Sequence, residues 1–186
     1  VPQYATLFYG VVDRANGRVE YASAGHPPAI HLRRDGEPRL LGAGGPPVGL
    51  LPGAEVRPGS LTLAPGDRLV VYSDGLSESA APGGPELGRE RLVQLFEGLR
   101  QRPLAELPDA VLGAAERHRG GRAADDDVSL LVLERPLEHP VGRSGNAWPP
   151  ACLPPKDPAR DARPPAAFTM CFISATRSCS TCLASP

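Results

Sequence analysis

Pro65-Gly66-Asp67-Arg68-Leu69-Val70-Val71-Tyr72-Ser73-Asp74-Gly75 is the stretch whose reading decides the fold. Pro-Gly-Asp is a turn signal, and the run Arg68 to Ser73 that follows is too short for a helix and rich in β-formers, so it reads as a buried strand. The strand emerges at Ser73-Asp74-Gly75, where the glycine lets the backbone turn and the carboxylate of Asp74 is delivered at a sheet edge. A second acidic motif, Asp125-Asp126-Asp127, immediately precedes Val128-Ser129-Leu130-Leu131-Val132-Leu133. That run is apolar on both faces and is expected to be a central, fully covered strand rather than an edge. If the two strands are antiparallel neighbours, Asp74 and one aspartate of the triplet converge at the same edge of the sheet.

The surrounding sequence extends this sheet. Tyr4 to Asp13, the turn Arg14-Ala15-Asn16-Gly17 and Arg18 to Ala24 form a hairpin signature. Further strands are expected at Ala29 to Arg33 and Glu55 to Leu63. Helices are expected at Arg89 to Arg100, with an apolar stripe of Leu92, Val93, Leu95, Phe96 and Leu99, and at Leu104 to His118. Strands, then two helices, then a last strand indicate an α+β layered domain over residues 1–135. The composition shifts near Pro136: ten of the 23 prolines fall in residues 136–186 and apolar periodicity ends. That segment reads as a Pro-rich disordered tail, and its one semi-apolar patch, Ala166 to Ala175, is too short and unpatterned to suggest a folded module.

Composition excludes several classes of function. The 20 basic and 21 acidic residues nearly cancel, so neither a nucleic-acid partner nor an anionic membrane is implied. No run approaches the roughly 18 to 20 apolar residues that span a bilayer, which reads as a soluble chain. All four cysteines lie beyond residue 136, so the globular part holds no disulfide and a reducing cytoplasm is expected. Cys179-Ser-Thr-Cys182 has CxxC spacing without the strand-helix context of a redox site or a second ligand pair for zinc.

Clustered carboxylates repel one another unless a cation intervenes. Oxygen-only ligands favour Mg²⁺ or Mn²⁺ over zinc or copper, and no histidine or cysteine cluster competes for that role. Taken singly, each motif has an ordinary explanation: Asp-Gly after a strand is a common turn, and an acidic triplet is usually a solvated loop.

The motifs gain weight from their order. Ala22-Ser23-Ala24-Gly25-His26-Pro27-Pro28, Pro47-Val48-Gly49-Leu50, Leu63-Ala64-Pro65-Gly66-Asp67, Val71-Tyr72-Ser73-Asp74-Gly75-Leu76-Ser77-Glu78, Leu87-Gly88-Arg89-Glu90-Arg91-Leu92 and Asp126-Asp127-Val128-Ser129-Leu130 follow one another along the chain. Together they resemble the SpoIIE and RsbU-like branch of the PPM (PP2C-like) serine/threonine phosphatases, over roughly residues 4 to 135. The resemblance implies an αββα sandwich of antiparallel sheets with flanking helices, here incomplete, and a binuclear Mn²⁺ or Mg²⁺ site at one end. It implies that Asp74 and Asp126 are metal ligands, that Asp127 and Gly75 support them, and that Gly25, His26 and Pro27 form a structural turn. His26 titrates near neutrality and invites a role as general acid, but rigidity of the Gly-His-Pro-Pro turn suffices to explain it.

By the same resemblance, the expected reaction is hydrolysis of a phosphoserine or phosphothreonine monoester by a metal-activated water. The expected substrate is a phosphorylated regulator, such as a STAS-type anti-anti-sigma factor, and an upstream sensory domain is expected in the full-length protein. Members of this branch carry an upstream Asp next to a Gly-His-Gly element, which nothing before Tyr4 supplies; a catalytically inactive fragment or pseudophosphatase that only binds a partner is therefore the second expectation. A structural β-sandwich, in which both acidic motifs are merely turns, is the third.

Overall fold

Side chains alternate across a strand, and along Arg68–Tyr72 that alternation separates two cores. Leu69 and Val71 enter one apolar cluster with Phe8, Val19 and Tyr21. Val70 and Tyr72 enter another with Leu92, Phe96, Leu107 and Val111. The computed structural model describes residues 4–42, 44–137 and 167–175, and in it these two cores are the seams of a three-layer stack: sheet, sheet, helices.

The first sheet contains β1 (Ala5–Asp13), β2 (Arg18–Ala24), β5 (Gly59–Thr62) and β8 (Ala167–Ala175), in the order β5-β2-β1-β8. The second contains β3 (Ala29–Leu32), β4 (Arg39–Leu41), β6 (Arg68–Tyr72) and β7 (Leu130–Glu134), in the order β4-β3-β6-β7. All pairings within the sheets are antiparallel. The expected hairpin forms with Val12 opposite Val19, and Gly17 takes the left-handed conformation (φ 75°) that closes its turn, donating its N–H to the Asp13 carbonyl at 2.8 Å.

The helices form the third layer. In α2 (Gly88–Gly98), Leu92 and Phe96 lie one turn apart and are fully buried. In α3 (Leu107–His118), Leu107, Val111 and Ala115 repeat at four-residue spacing on the buried face, and basic Arg117 and His118 occupy the last turn, where the helix dipole favours cations. A short 3-10 turn, Leu104–Glu106, precedes α3, so the helix expected from Leu104 is divided in two.

At the end of β6 remote from Asp74, polar groups are fully engaged. Asp67 accepts hydrogen bonds from His31 Nε2 (2.8 Å), Arg34 N (2.9 Å) and Ala64 N (3.0 Å). Burial alone would raise its pKa, but these donors outweigh burial and hold the carboxyl below its usual range. Arg68, with a side chain only 7% exposed, pairs with Glu134 at 2.6 Å and donates to the carbonyls of Arg100 (3.0 Å) and Arg102 (2.6 Å), tying the chain beyond α2 to the second sheet.

Two expectations are corrected. Val128 to Leu133 was expected to form a central strand; β7 instead ends its sheet among the described residues, beside β6 only, and its residues are half-buried. Leu130 and Val132 face the helix-side core and Leu131 and Leu133 the inter-sheet core, so its double apolar character reports a position between layers, not a position within the sheet. The segment Ala166 to Ala175, read as unpatterned, supplies β8 from Ala167 onward, paired with β1 from Asp13↔Ala167 to Ala5↔Ala175. The rest of the tail, including Cys179 and Cys182, lies outside the described residues. No helix among the described residues is long and apolar enough to cross a membrane.

Candidate functional site

The site is built where β6 and β7 both stop. Their register runs from Arg68↔Glu134 to Tyr72↔Leu130, which sets Ser73 beside Ser129 and brings the two acidic motifs to the same end of the sheet. Ser73 joins them: its backbone N–H donates to the Ser129 carbonyl (3.0 Å), its hydroxyl donates to the Asp127 carbonyl (2.9 Å), and the Ser129 N–H donates to that hydroxyl (2.8 Å). The serine of Ser73-Asp74-Gly75 is thus the clasp between the segments, a role the sequence reading did not assign.

Gly75 makes the approach possible. A Cβ there would lie 2.6 Å from the Asp127 carbonyl oxygen and 3.2 Å from that of Asp126, both backbone atoms that cannot swing aside. Asp74 opens a single helical turn, α1 (Asp74–Ser77), with its Oδ1 accepting from the Gly75 N–H at 3.0 Å. On the other segment, Asp126 Oδ1 accepts from the Asp127 N–H at 2.7 Å. Asp74 is half-buried, whereas Asp126 and Asp127 are exposed.

The electrostatics register this convergence. Glu78, one turn beyond Asp74, has its pKa raised first by desolvation and then by the charges of Asp74, Glu86 and Asp126. Negative charge from both motifs therefore accumulates on one patch. Among the described residues, nothing gives Asp125 a role in this convergence. Among the described residues no three or more His, Cys, Asp or Glu side chains form a ready-made metal cage. Asp74 and Asp126, both brought to this end of the sheet, carry the oxygen-only type of side chain that could hold Mn²⁺ or Mg²⁺, and the backbone of Asp127 packs against Gly75.

A cavity of about 420 Å³ adjoins Asp74, lined also by Gly25, His26, Pro27, Tyr72, Glu78 and Arg89. Its wall explains the Gly25-His26-Pro27 motif. Gly25 has φ 65°, and a Cβ there would come within 2.3 Å of Pro47 Cγ, so only glycine lets the Pro47-Val48 loop close on the turn. The bonds of Val48 to Ala5, N–H to carbonyl in both directions at 2.9 and 3.0 Å, anchor that loop to β1. His26 is 6% exposed; burial lowers its pKa to about 4, against a smaller opposing effect of a hydrogen bond with the Tyr72 backbone. The imidazole is therefore neutral at pH 7, in keeping with a structural role rather than that of a proton donor. Burial likewise pushes the Tyr72 phenol up, so it stays protonated.

A pH dependence of stability follows from His26. Its folded-state pKa lies below the unfolded value of 6.5, so between those values the unfolded chain binds the extra proton and stability falls as pH falls. The loss begins near pH 6.5 and levels off below about pH 4. Between pH 7 and pH 5 it should amount to about 2 kcal/mol. Urea unfolding at the two pH values checks this: His26→Asn should remove most of the difference, and an undiminished difference would assign it to another group.

Comparisons with known proteins place the chain in a family. The family described as Stage II sporulation protein E (SpoIIE) matches residues 2–136. The chain is 32% identical over 132 residues to Protein IcfG of Synechocystis sp., covering 71% of this chain and 21% of that protein. It is 28% identical over 131 residues to Phosphoserine phosphatase RsbP of Bacillus subtilis, covering 70% of this chain and 31% of that protein. It thus spans less than a third of the length of either relative. Among solved structures, the RsbU and RsbW domains of a Mycobacterium tuberculosis protein superpose with a TM-score of 0.61 at 29% identity, over 73% of this chain and 37% of that one. The Mn-presoaked phosphatase domain of B. subtilis SpoIIE superposes with a TM-score of 0.59 at 24% identity, over 73% of this chain and 58% of that one, a likeness of fold.

Proposed function

This chain belongs to the SpoIIE family of PP2C-type phosphatase domains, and from that premise we propose that it takes part in the metal-dependent hydrolysis of phosphoserine or phosphothreonine on a regulatory protein. The observation that carries the proposal is the β6–β7 pairing, which sets Ser73-Asp74-Gly75 against Asp126-Asp127 with no room for a side chain between them. Asp74 and Asp126 would hold the ion, Mn²⁺ or Mg²⁺. When bound, it supplies positive charge for the phosphoryl oxygens and lowers the pKa of water to the range where hydroxide forms near neutrality.

The chain's own groups provide the surroundings. Gly75 and the Ser73 hydroxyl fix the spacing of the two segments, and the cavity beside Asp74 gives a phosphorylated side chain somewhere to sit. Arg89 brings a positive charge to a rim otherwise carrying Glu78 and Glu86, so an incoming phosphate meets one favourable group there. The phosphoserine in the name of RsbP supports a phosphoserine substrate; a STAS-type regulator is the substrate class we infer from the family branch.

A second reading, a domain that binds a phosphoprotein without turning it over, is favoured by one observation: among the described residues no group of three or more His, Cys, Asp or Glu side chains is placed to hold an ion. One experiment separates the readings. Titration with Mn²⁺ in a calorimeter, followed by assay with p-nitrophenyl phosphate, should give saturable binding and turnover that EDTA removes. Absence of turnover, with or without saturable Mn²⁺ binding, removes the first reading, and failure of the chain to bind a phosphoserine peptide removes the second.

A further inference from the structure

α1 is a single turn of four residues, too short to hold itself, and it carries Asp74. Ser73 fixes its leading side, and its trailing side is fixed from α3. Ser79, 4% exposed, donates its hydroxyl proton to the Gly75 carbonyl (2.9 Å) and accepts from Arg119 Nη1 (3.0 Å). A guanidinium has donors only, so it occupies the oxygen of Ser79 and leaves the hydroxyl proton for Gly75, the residue seated against the Asp127 backbone. The neighbours of Arg119 reach the same loop. His118 Nε2 donates to the Pro85 carbonyl (3.1 Å), and Gly120, with φ 63°, approaches Pro82 so closely that a Cβ would lie 2.9 Å from its Cγ. The loop from Ser79 to Leu87 is closed on itself by the Leu87 N–H to the Ser79 carbonyl (2.7 Å) and the Ala81 N–H to the Pro85 carbonyl (3.1 Å), so α3 supports it as a unit. Glu78 stands just before this loop and Glu86 near its end.

We propose that Arg119 is a positioning residue for Asp74: acting through Ser79, it holds the α1 turn in register with the Asp126-Asp127 segment, and the C-terminal end of α3 is the mount of the acidic site. The consequence for function rests on the reading of Asp74 and Asp126 as ligands of a divalent ion. The guanidinium is itself directed, because its Nε donates to the Arg122 carbonyl at 3.2 Å while Nη1 faces Ser79. A hydrogen bond from a charged donor to a buried hydroxyl is stronger than one between neutral groups. Without it, the Ser79 oxygen loses a partner and the hydroxyl is free to rotate away from the Gly75 carbonyl. The turn would then drift relative to Asp126, and a group that orients a ligand is worth about as much to ion affinity as the roughly 10–100-fold found for supporting partners.

The test uses the full chain with Ser79→Ala, with Arg119→Met and with both changes together. Hydrogen exchange without metal reads the turn. The amides of Leu76 and Glu78, which donate to the Ser73 and Asp74 carbonyls, should exchange about tenfold faster in each variant, while the amides of β6 and α2 stay unchanged. Mn²⁺ calorimetry reads the consequence: each single change should weaken binding by about tenfold and the double change by no more, because both break one link. A role confined to stability would instead lower the urea midpoint, accelerate exchange across α2 and α3 alike and give additive losses, and that result overturns the proposal. Unchanged exchange at Leu76 and Glu78 in Arg119→Met overturns it too, as does faster exchange with unaltered Mn²⁺ affinity. If the unaltered chain takes up no Mn²⁺, the ion reading fails, and the positioning role is decided by the exchange of the α1 amides alone. Should Arg119→Met abolish the cooperative melt, Arg119→Gln serves in its place, with the same outcomes.

Discussion

Replacing Asp74 or Asp126 by asparagine is expected to abolish Mn²⁺-dependent turnover of p-nitrophenyl phosphate, by about 10²-fold or more, and to weaken Mn²⁺ binding in parallel. On the proposed site the size follows from direct ligation: loss of either aspartate removes a donor to the ion itself, a larger change than the roughly 10–100-fold cost of altering a group that merely supports a ligand. The fold should not suffer. Both residues crowd the patch that raises the Glu78 pKa, so the metal-free variants should melt at the same temperature as the parent or slightly above it. A variant that keeps its activity removes the assignment; one that loses activity together with its cooperative melt assigns the residue a structural part.

Arg68→Met is expected to cost about 3 kcal/mol of stability, read as a lower urea midpoint at unchanged slope. The guanidinium is buried and serves three acceptors at once, the Glu134 carboxylate and the carbonyls of Arg100 and Arg102. Removing it leaves those carbonyls without this donor and Glu134 unpaired, and methionine replaces the volume without replacing the bonds. Arg68→Lys should rescue little, because one ammonium cannot reproduce a fork that spans a carboxylate and two separate carbonyls. A loss below about 1 kcal/mol for Arg68→Met would show that water substitutes for the guanidinium.

Much of this was legible in the sequence because the relevant signals are local. Asp13-Arg14-Ala15-Asn16-Gly17 specifies a turn by its own chemistry, the apolar repeat of Leu92 and Phe96 specifies a helix face, and Leu69 to Tyr72 is too short and too apolar to be anything but a covered strand. The end-on meeting of the two acidic motifs could be stated only as a condition, since strand pairing across more than fifty residues leaves no local trace; the β6–β7 register supplies it. The position of β7 was misread because apolar residues on both faces describe what lies above and below a strand, not what lies beside it. β8 was missed for a related reason. Ala-Phe-Thr-Met-Cys-Phe-Ile-Ser-Ala is a short apolar run without flanking hairpin signals, and its partner, β1, lies far away in the chain. Ser73 and Glu78 stood in a quoted motif, but the clasp and the shared charge appear only when the second segment is beside them.

The pairing of β1 with β8 also sets an order of events during biosynthesis. A ribosome adding about 5–20 residues per second needs on the order of ten seconds to travel from Asp13 to Ala175. Through that interval the contact with β8 cannot exist, so whatever that contact contributes to the first sheet is added last, after every other described strand has left the ribosome.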